Sequence, residues 1–304
     1  MLHEALAQQT PTRELRDLGD GWLFHDTSDA EPFWNRLVAP RWPLGAADFN
    51  RRLDEVITLF SALGRLPHIR PLPLGGTPTD LAGRLATAGF EIVGADLRMV
   101  LMHHGDADAL VAALTARVER AFGGRSEVTV SRREWGRAAG RAAVGTDGTR
   151  GTGVSRRASR PGGASGGRQW AERRRWAVDA SLVLADAFGV DPNRRVALEN
   201  DVLACVSRPG CTVVLLSIDG VPAAIARRAT TDDGSYLSSI GTRPAFRGRG
   251  LGALATAIAM RDALAAGSEV VHLGVEAENE PAQRLYERLG FATVGEAAPD
   301  LLLR

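Results

Sequence analysis

A glycine-rich hexapeptide with the sequence RGRGLG, at residues 247–252, constrains this 304-residue chain more than any other segment. It separates an apolar segment, residues 236–242, from an alanine-rich run, residues 251–266, so the pattern predicts a strand, a tight turn and a helix. Such a turn exposes backbone N–H groups at the positive end of the helix dipole, and glycines let phosphate oxygens approach closely. The spacing matches neither the dinucleotide fingerprint nor a Walker loop. It predicts a phosphate-binding turn, with a tight connection that binds no ligand as the alternative.

A second motif follows at residues 279–291. Residues 270–276 read as a buried strand, and Asn279 and Pro281 suit the cap and first turn of a helix. Apolar residues at 282, 285, 286 and 289 share one face of that helix. Gly290 ends the helix and Phe291 begins a last strand. The two motifs therefore lie on neighbouring strand–turn–helix units.

Together the motifs resemble the cofactor-binding half of the GNAT superfamily, the acyl-CoA-dependent N-acyltransferases. The first motif fits the family's Arg-x-x-Gly-x-Gly pyrophosphate loop, and the second fits Asn-x-x-Ala-x-x-Leu-Tyr-x-x-x-Gly-Phe. The clear resemblance covers residues 236–291, about a quarter of the chain. It implies an α/β (α+β) fold with a central mixed, mostly antiparallel sheet flanked by helices.

The resemblance also implies a mechanism. Two neighbouring strands splay apart, the pantetheine arm of acetyl-CoA pairs with exposed backbone, loop amides and arginines hold the pyrophosphate, and the amine attacks the thioester directly. Tyr286 would donate a proton to the departing sulfur. The alternative interpretation is that Tyr286 is a tyrosine packed on its helix with no role in the reaction. The cofactor-binding residues implied are Ile240, Gly241, Thr242, Arg247, Gly248, Arg249, Gly250, Leu251, Gly252 and Asn279.

The chain departs from the family at the general base. Many members carry a glutamate where this chain has Ser238, and serine has no useful basicity near pH 7. Glu276 or His272, on the following strand, could substitute, although an exposed glutamate and a hydrogen-bonded histidine are the simpler interpretations. A missing carboxylate favours an amine that is easily deprotonated, such as an α-amino group.

Composition limits the other possibilities. The net charge is +1, the basic residues are all arginine, and the beginning of the chain lacks the features of a signal peptide. No apolar stretch is long enough to cross a bilayer, so we expect a cytoplasmic protein without membrane contact. Cys205 and Cys211 are expected to be free thiols in a reducing compartment, and the histidines show no ligand pattern, so no metal is expected.

The motif of helix, strand, helix, Gly-Phe and strand occurs twice. Residues 81–94 echo residues 282–295, but the first copy has Leu85 in place of Tyr286 and lacks the glycine loop. We therefore predict a degenerate GNAT-like domain at residues 1–120, without cofactor binding, and a catalytic domain at residues 121–304. Chance similarity is the alternative.

Residues 144–168 contain eight glycines and five arginines but only one acid, Asp147. This composition predicts a disordered insertion. Arginine–glycine segments can bind nucleic acid, but few aromatic side chains accompany this one, so we favour a solvated loop. Around it we expect a strand at 127–131, helices at 132–143, 176–188 and 193–207, and a hairpin of strands 211–218 and 221–229 around Asp219-Gly220.

The sequence thus predicts an N-acetyltransferase that moves an acetyl group from acetyl-CoA to an amine, either a small molecule such as a natural product or antibiotic, or a peptide N-terminus. The alternatives are a non-catalytic acyl-CoA-binding or sensing protein, which Ser238 favours, and an arginine-rich adaptor built on the same scaffold. The acceptor, the acyl-chain length and the oligomeric state are not determined by the sequence.

Overall fold

The computed structural model describes residues 10–71, 77–124, 126–134, 165–232 and 234–304. In these residues the α-helices are α1 (Ala46–Ala62), α2 (Leu81–Thr87), α3 (Ala107–Ala121), α4 (Ser165–Phe188), α5 (Arg195–Val206), α6 (Leu251–Ala265) and α7 (Glu280–Arg288). The strands are β1 (Arg13–Asp17), β2 (Trp22–Asp26), β3 (Arg36–Val38), β4 (His68–Arg70), β5 (Glu91–Leu101), β6 (Val128–Glu134), β7 (Cys211–Ile218), β8 (Val221–Thr231), β9 (Gly234–Thr242), β10 (Val271–Glu276), β11 (Phe291–Thr293) and β12 (Ala298–Leu302). Short 3₁₀ turns span Pro32–Trp34, Pro192–Arg194 and Pro244–Phe246.

All described strands belong to one sheet. Their order is β1-β2-β3-β4-β12-β5-β10-β9-β8-β7-β6, and β11 pairs with β5. The pairs β3–β4 and β9–β10 are parallel, and the others in the described residues are antiparallel. The predicted mixed, mostly antiparallel sheet with flanking helices is therefore confirmed.

Strands from the two ends of the chain alternate at the centre of this sheet. One edge of β5 pairs with β10, and its other edge pairs with β11 and β12. Strand β12 in turn pairs with β4. The division of the chain near residue 120 stays a prediction, but the segments on its two sides do not form separate sheets.

Three apolar clusters hold the helices to the sheet. One lies between α3, α6, α7 and the strands β5, β7, β8, β9 and β10. A second lies on the opposite face, between α4, α5 and β7, β8 and β9. The third packs α1 and α2 against β2, β3, β4 and β12. Most positions of α6 are buried, which explains its alanine-rich composition, because small side chains let the helix lie close to the sheet.

Several sequence predictions are confirmed and others are wrong. The hairpin around Asp219-Gly220 forms, and both turn residues have positive φ, as a two-residue turn requires. The helix predicted to begin at residue 132 is wrong at its start, because residues 132–134 continue β6 and pair with β7. The predicted insertion at 144–168 is wrong at residues 165–168, which belong to α4; residues 135–164 lie outside the described part of the chain.

The expectation of two free thiols is also wrong. Cys205, at the end of α5, and Cys211, at the start of β7, form a disulfide with their Cα atoms 5.5 Å apart. The sequence separation of six residues gave no sign of this pairing, because it depends on how the connecting turn folds back. The disulfide joins α5 directly to the sheet.

Candidate functional site

Strands β9 and β10 pair at one end and separate at the other. Their parallel pairing runs only from Ser235–Val271 to Leu237–Leu273. Beyond it, β9 continues to Thr242 while paired with β8 on its other edge, and a bulge between Ile225 and Arg227 places Ser239 at a φ of 51°. The backbone edge of β9 from residue 238 onward is therefore open toward β10, and Ile240, Gly241 and Thr242 lie on it. An extended ligand can pair with such an edge as an added strand.

The predicted phosphate turn lies directly after this open edge. Arg247 leads to two glycines with positive φ, Gly248 at 75° and Gly250 at 86°, and α6 begins at Leu251. Gly250 is the N-cap residue in a left-handed conformation that disfavours a Cβ. Among the described residues, no protein acceptor pairs with the backbone N–H groups of residues 248–253. The start of α6 therefore presents a row of donors suited to an anion.

The arginines of the turn are engaged with protein groups. The Arg247 guanidinium donates to the carbonyl oxygens of Thr242, at 3.1 Å, and Ala187, at 2.9 Å. The Arg249 guanidinium lies over the ring of Phe122, 4.6 Å from its centroid. Arg247 therefore ties β9 to the end of α4, and the donors best placed for an anion are the amides of residues 248–252.

Helix α4 packs on the face of β9 at Gly241, next to the open edge. A Cβ at this position would lie 2.8 Å from Cβ of Ala187 and 3.1 Å from the ring of Phe188. Any larger residue would push α4 away from β9. Glycine at 241 therefore sets the distance between the helix and the strand beside the gap.

Tyr286 lies on α7 in the same apolar cluster as Leu251 and Val275. Its side chain is buried and packs edge-on against Phe291, with ring centroids 6.3 Å apart. Burial raises the pKa of Tyr286 to about 12. At neutral pH the phenol is fully protonated, so it is suited to donate a hydrogen bond to a developing thiolate, while complete proton transfer from it is less favourable than from an exposed tyrosine.

Asn279 has a structural role at the start of α7. Its side-chain oxygen accepts a hydrogen bond from the backbone N–H of Ala282 at 3.2 Å. Asn279 is exposed at the end of the β10–α7 connection. Its predicted contact with a cofactor would thus involve the amide nitrogen or the backbone.

The candidate base positions lie on one face of the sheet, opposite the α6 side. Ser238 is partly buried at the point where β9 and β10 separate. His272 is buried and stacks on Tyr236, with ring centroids 5.1 Å apart. Glu276 is exposed at the open end of β10, opposite Asp96 of β5. Of these three side chains, only Glu276 is a carboxylate, and it lies on β10 and not at residue 238 of β9.

Sequence reasoning missed a buried ionic chain on this same face. Asp201 of α5 accepts hydrogen bonds from Arg227 of β8 and Arg13 of β1, at 2.5 and 2.9 Å. Burial alone would raise the pKa of Asp201, but the two guanidinium groups outweigh burial and hold that pKa below its ordinary value. Arg227 and Arg228 interrupt the apolar run of residues 221–229, and that interruption is the sequence signal that could have identified this cluster.

Metal chemistry has no visible site in the described ranges, where no group of three or more His, Cys, Asp or Glu side chains could hold a metal ion. Within the same part of the chain, no helix is long and apolar enough to cross a bilayer.

Comparison with known proteins agrees with this geometry. Residues 176–291 match the acetyltransferase (GNAT) family. A 53-residue stretch is 49% identical to the mycothiol acetyltransferase of Mycobacteroides abscessus, and it covers 17% of this chain and 18% of that protein. An 83-residue stretch is 40% identical to the mycothiol acetyltransferase of Nocardiopsis dassonvillei, and it covers 24% of this chain and 25% of that protein. These matches therefore span a quarter or less of the curated relatives' length.

Solved structures share the fold over nearly the whole chain. A GCN5-related N-acetyltransferase from Kribbella flavida superposes with a TM-score of 0.56 at 21% identity, over 99% of this chain and 94% of that one. A tandem GNAT protein from the clavulanic acid biosynthesis pathway gives a TM-score of 0.54 at 12% identity, over 99% and 86%. At these identities the similarity is one of fold. The family resemblance inferred from the two motifs is confirmed.

Proposed function

Because residues 176–291 belong to the GNAT acetyltransferase family, we propose that this protein is an N-acetyltransferase that moves an acetyl group from acetyl-CoA to an amine. The observation that carries the proposal is the open edge of β9 beside the unpaired amides at the start of α6. A pantetheine arm needs such an edge, and a diphosphate needs such a helix start. The two features lie end to end along residues 238–252.

The proposed reaction uses groups from β9, from the start of α6 and from α7. Backbone groups of Ile240, Gly241 and Thr242 hold the pantetheine arm, and the amides of residues 248–252 hold the diphosphate. The amine nitrogen attacks the acetyl carbonyl carbon, the carbon–sulfur bond breaks, and the proton of the amine passes to solvent or a nearby base. Tyr286, from α7, donates a hydrogen bond to the departing sulfur of CoA.

An acceptor with an easily deprotonated amine fits this site best. At pH 7, deprotonating a lysine-like amine with a pKa near 10.4 costs roughly 4 to 5 kcal/mol, whereas an α-amine with a pKa near 8 costs about 1 to 1.5 kcal/mol. With Ser238 in place of a carboxylate, the smaller cost is the one that the site can accommodate. Mycothiol acetylation, the activity that names the matched relatives, is one specific form of this proposal.

The two-domain organisation is part of the proposal. The first half contains α2 followed by Gly89-Phe90, as α7 is followed by Gly290-Phe291, but Leu85 is buried where the second half has Tyr286. Gly45, at the start of α1, has an extended conformation instead of a left-handed one. We interpret residues 1–120 as a GNAT-like half without cofactor chemistry and residues 121–304 as the catalytic half, in a protein that acts in the cytoplasm.

A non-catalytic acyl-CoA-binding protein is the second candidate. Ser238 favours it because the site lacks a carboxylate base, and the raised pKa of Tyr286 favours it because a buried phenol is a weaker acid. Such a protein would bind acetyl-CoA without releasing CoA in the presence of any amine.

Release of free CoA over a panel of amines separates the two candidates. The enzyme is expected to turn over at least one amine, and Tyr286→Phe is expected to lower kcat about 100-fold, because the variant loses the hydrogen-bond donor to sulfur. Acetyl-CoA affinity and melting temperature, measured on the same variant, should change little. Equal kcat values for the variant and the wild type would exclude the proposed role of Tyr286, and binding without turnover would favour the second candidate.

A further inference from the structure

The strongest feature that the proposed reaction leaves unused is the chain Arg13–Asp201–Arg227. The side chains of all three are at least nine-tenths buried, with exposed fractions of 3%, 9% and 4%. They join β1, α5 and β8, which are distant in sequence but meet on the face of the sheet opposite α6. Burying charged groups is energetically unfavourable, so a buried cluster of three charged side chains is expected to have a specific partner or function.

Arg227 lies on β8 beside the open edge of β9. In the β8–β9 pairing it stands directly opposite Ser238, and directly opposite residues of an antiparallel pair project from the same face of the sheet. Ser238 is also the first residue of β9 beyond its pairing with β10. Position 227 of β8 is therefore next to the place where, in the proposed reaction, the amine of an acceptor approaches the thioester.

Further guanidinium groups and carboxylates surround Arg227. Arg13 contacts two carboxylates, Asp26 at 3.1 Å and Asp201 at 2.9 Å, and Asp201 is shared with Arg227. A third guanidinium, on Arg208, is close enough that its pKa is lowered, first by burial and then by the charge of Arg227. Asp201 is thus the carboxylate that Arg227 and Arg13 both contact.

One donor of Arg227 has no acceptor in the part of the chain that the structure describes. Its Nη2 binds Asp201, but Nε is buried, and no atom of the described residues accepts a hydrogen bond from it. A buried guanidinium N–H without an acceptor is unfavourable, and a negatively charged ligand group would accept a hydrogen bond from it.

From this geometry, and resting on the proposed acetyltransferase function, we propose that Arg227 binds an acidic group of the acceptor. The acceptor is then an amine with a carboxylate close to it, as in a free α-amino acid. The carboxylate would bind Arg227 beside Ser238, and the amine would lie at the open edge of β9. Peptide N-termini, in which an amide replaces the nearby carboxylate, would be poor acceptors.

The same contact compensates for the missing base. The carboxylate of a free amino acid favours the ammonium form of its own amine, and pairing of that carboxylate with Arg227 offsets this effect, so a larger fraction of the bound acceptor is the neutral nucleophile. The amine then forms its bond to the acetyl carbon, the carbon–sulfur bond breaks, and the amine proton leaves to solvent. No residue at position 238 is required to accept that proton.

Matched pairs of acceptors test this inference on the intact protein. We would measure CoA release at saturating acetyl-CoA with each L-amino acid and with its carboxamide, for wild type, Arg227→Gln and Arg227→Lys. For the L-amino acids that the wild type acetylates fastest, kcat/KM is expected to be higher than for the corresponding carboxamides. Arg227→Gln is expected to lower kcat/KM for the acids roughly 10- to 100-fold with little change for the amides, and Arg227→Lys to restore part of the loss.

Arg228→Gln is the matched control. Arg228 is an equally buried arginine, but it projects from the opposite face and donates to Thr212 and to the carbonyl oxygen of Asp262. Its loss should change acids and amides alike. If Arg227→Gln is too unstable to assay, the wild-type pairs and Arg227→Lys decide the matter.

The outcomes separate this inference from the function on which it rests. Amides that are turned over as well as or better than acids by the wild type would overturn the acid-binding role and leave the acetyltransferase proposal intact, as would equal losses for acids and amides in Arg227→Gln. Acetyl-CoA binding without turnover of either member of any pair would contradict the proposed function and the inference with it.

Discussion

At the scale of single residues, burial determines what the candidate catalytic group can do. Tyr286 is enclosed by apolar side chains of α6, α7 and β10, and its raised pKa follows from that enclosure. The phenol remains neutral across the physiological range, so in the proposed reaction it would be a fixed hydrogen-bond donor. A change of activity near pH 10 would therefore have to come from another group.

The raised pKa predicts a loss of stability at high pH. Because the folded state binds the Tyr286 proton more tightly than the unfolded state, this contribution is fully present below pH 10 and is lost as pH rises through about 12. The full effect is about 2 to 3 kcal/mol. Chemical denaturation between pH 9 and 12 should show a steeper fall for wild type than for Tyr286→Phe. Parallel curves for the two proteins would contradict the burial argument.

At the scale of elements, the turn before α6 combines two requirements in a few residues. Gly250 must adopt a left-handed conformation so that the chain can enter the helix, and the amides on either side must point outward for an anion. These requirements are local, and the sequence pattern predicted the tight turn and its exposed amides; the left-handed conformation of Gly250 is a finding of the structure. The engagement of Arg247 with Ala187 could not be predicted, because it depends on where α4 ends in space.

Gly250→Ala tests the turn. Forcing a Cβ into this conformation costs about 1 to 2 kcal/mol, and relief of the strain would reorient the amides. Acetyl-CoA affinity by calorimetry is expected to fall at least about 10-fold. The control is Gly267→Ala, at the other end of α6, where φ is 85° and a Cβ would meet nothing within 4 Å. It should lose similar stability and keep its affinity; equal affinity losses in both variants would contradict a specific role for the turn.

The disulfide between α5 and β7 provides a second test at this scale. It closes a short loop, and reducing it should lower the free energy of unfolding by about 2 kcal/mol. Denaturation with and without a reductant measures the difference, and Cys205→Ala/Cys211→Ala should show none. An identical midpoint for the oxidised and reduced wild type would indicate that the loop is already ordered by its other contacts.

At the scale of the whole molecule, the central strands are exchanged between the two halves of the chain. The order β4-β12-β5-β10 alternates early and late segments, and the ion pairs follow it: Asp300 of β12 contacts His68 and Arg70 of β4. Burial alone would raise the pKa of Asp300, but the His68 hydrogen bond and the charges of Arg70 and Arg36 hold it below its ordinary value. Each half therefore completes the other.

This exchange also marks the limit of prediction from the sequence. Short-range patterns gave the two motifs, most of the second-half elements and the sheet class, because turn chemistry and apolar periodicity are local. The insertion of β5 beside β10, the Arg13–Asp201–Arg227 chain and the disulfide depend on contacts between distant segments. No local pattern encodes such contacts, so they became visible only in the folded chain.

Strand exchange predicts that the second half of the chain cannot fold alone. A fragment of residues 126–304 contains β10, β11 and β12 but lacks β5, which pairs with all three. It is expected to lose the cooperative thermal transition that the full chain shows in circular dichroism, and co-expression with residues 1–124 should restore it. A cooperative transition in the isolated fragment would show that the two halves are independent.

The most direct measurement of the central claim is titration calorimetry of the full chain with acetyl-CoA and with CoA. If the amides at the start of α6 and the open edge of β9 form a thioester-carrier site, both ligands should bind with one-to-one stoichiometry, and Gly250→Ala should weaken both. Absence of binding heat with either ligand, at several temperatures, would contradict the account.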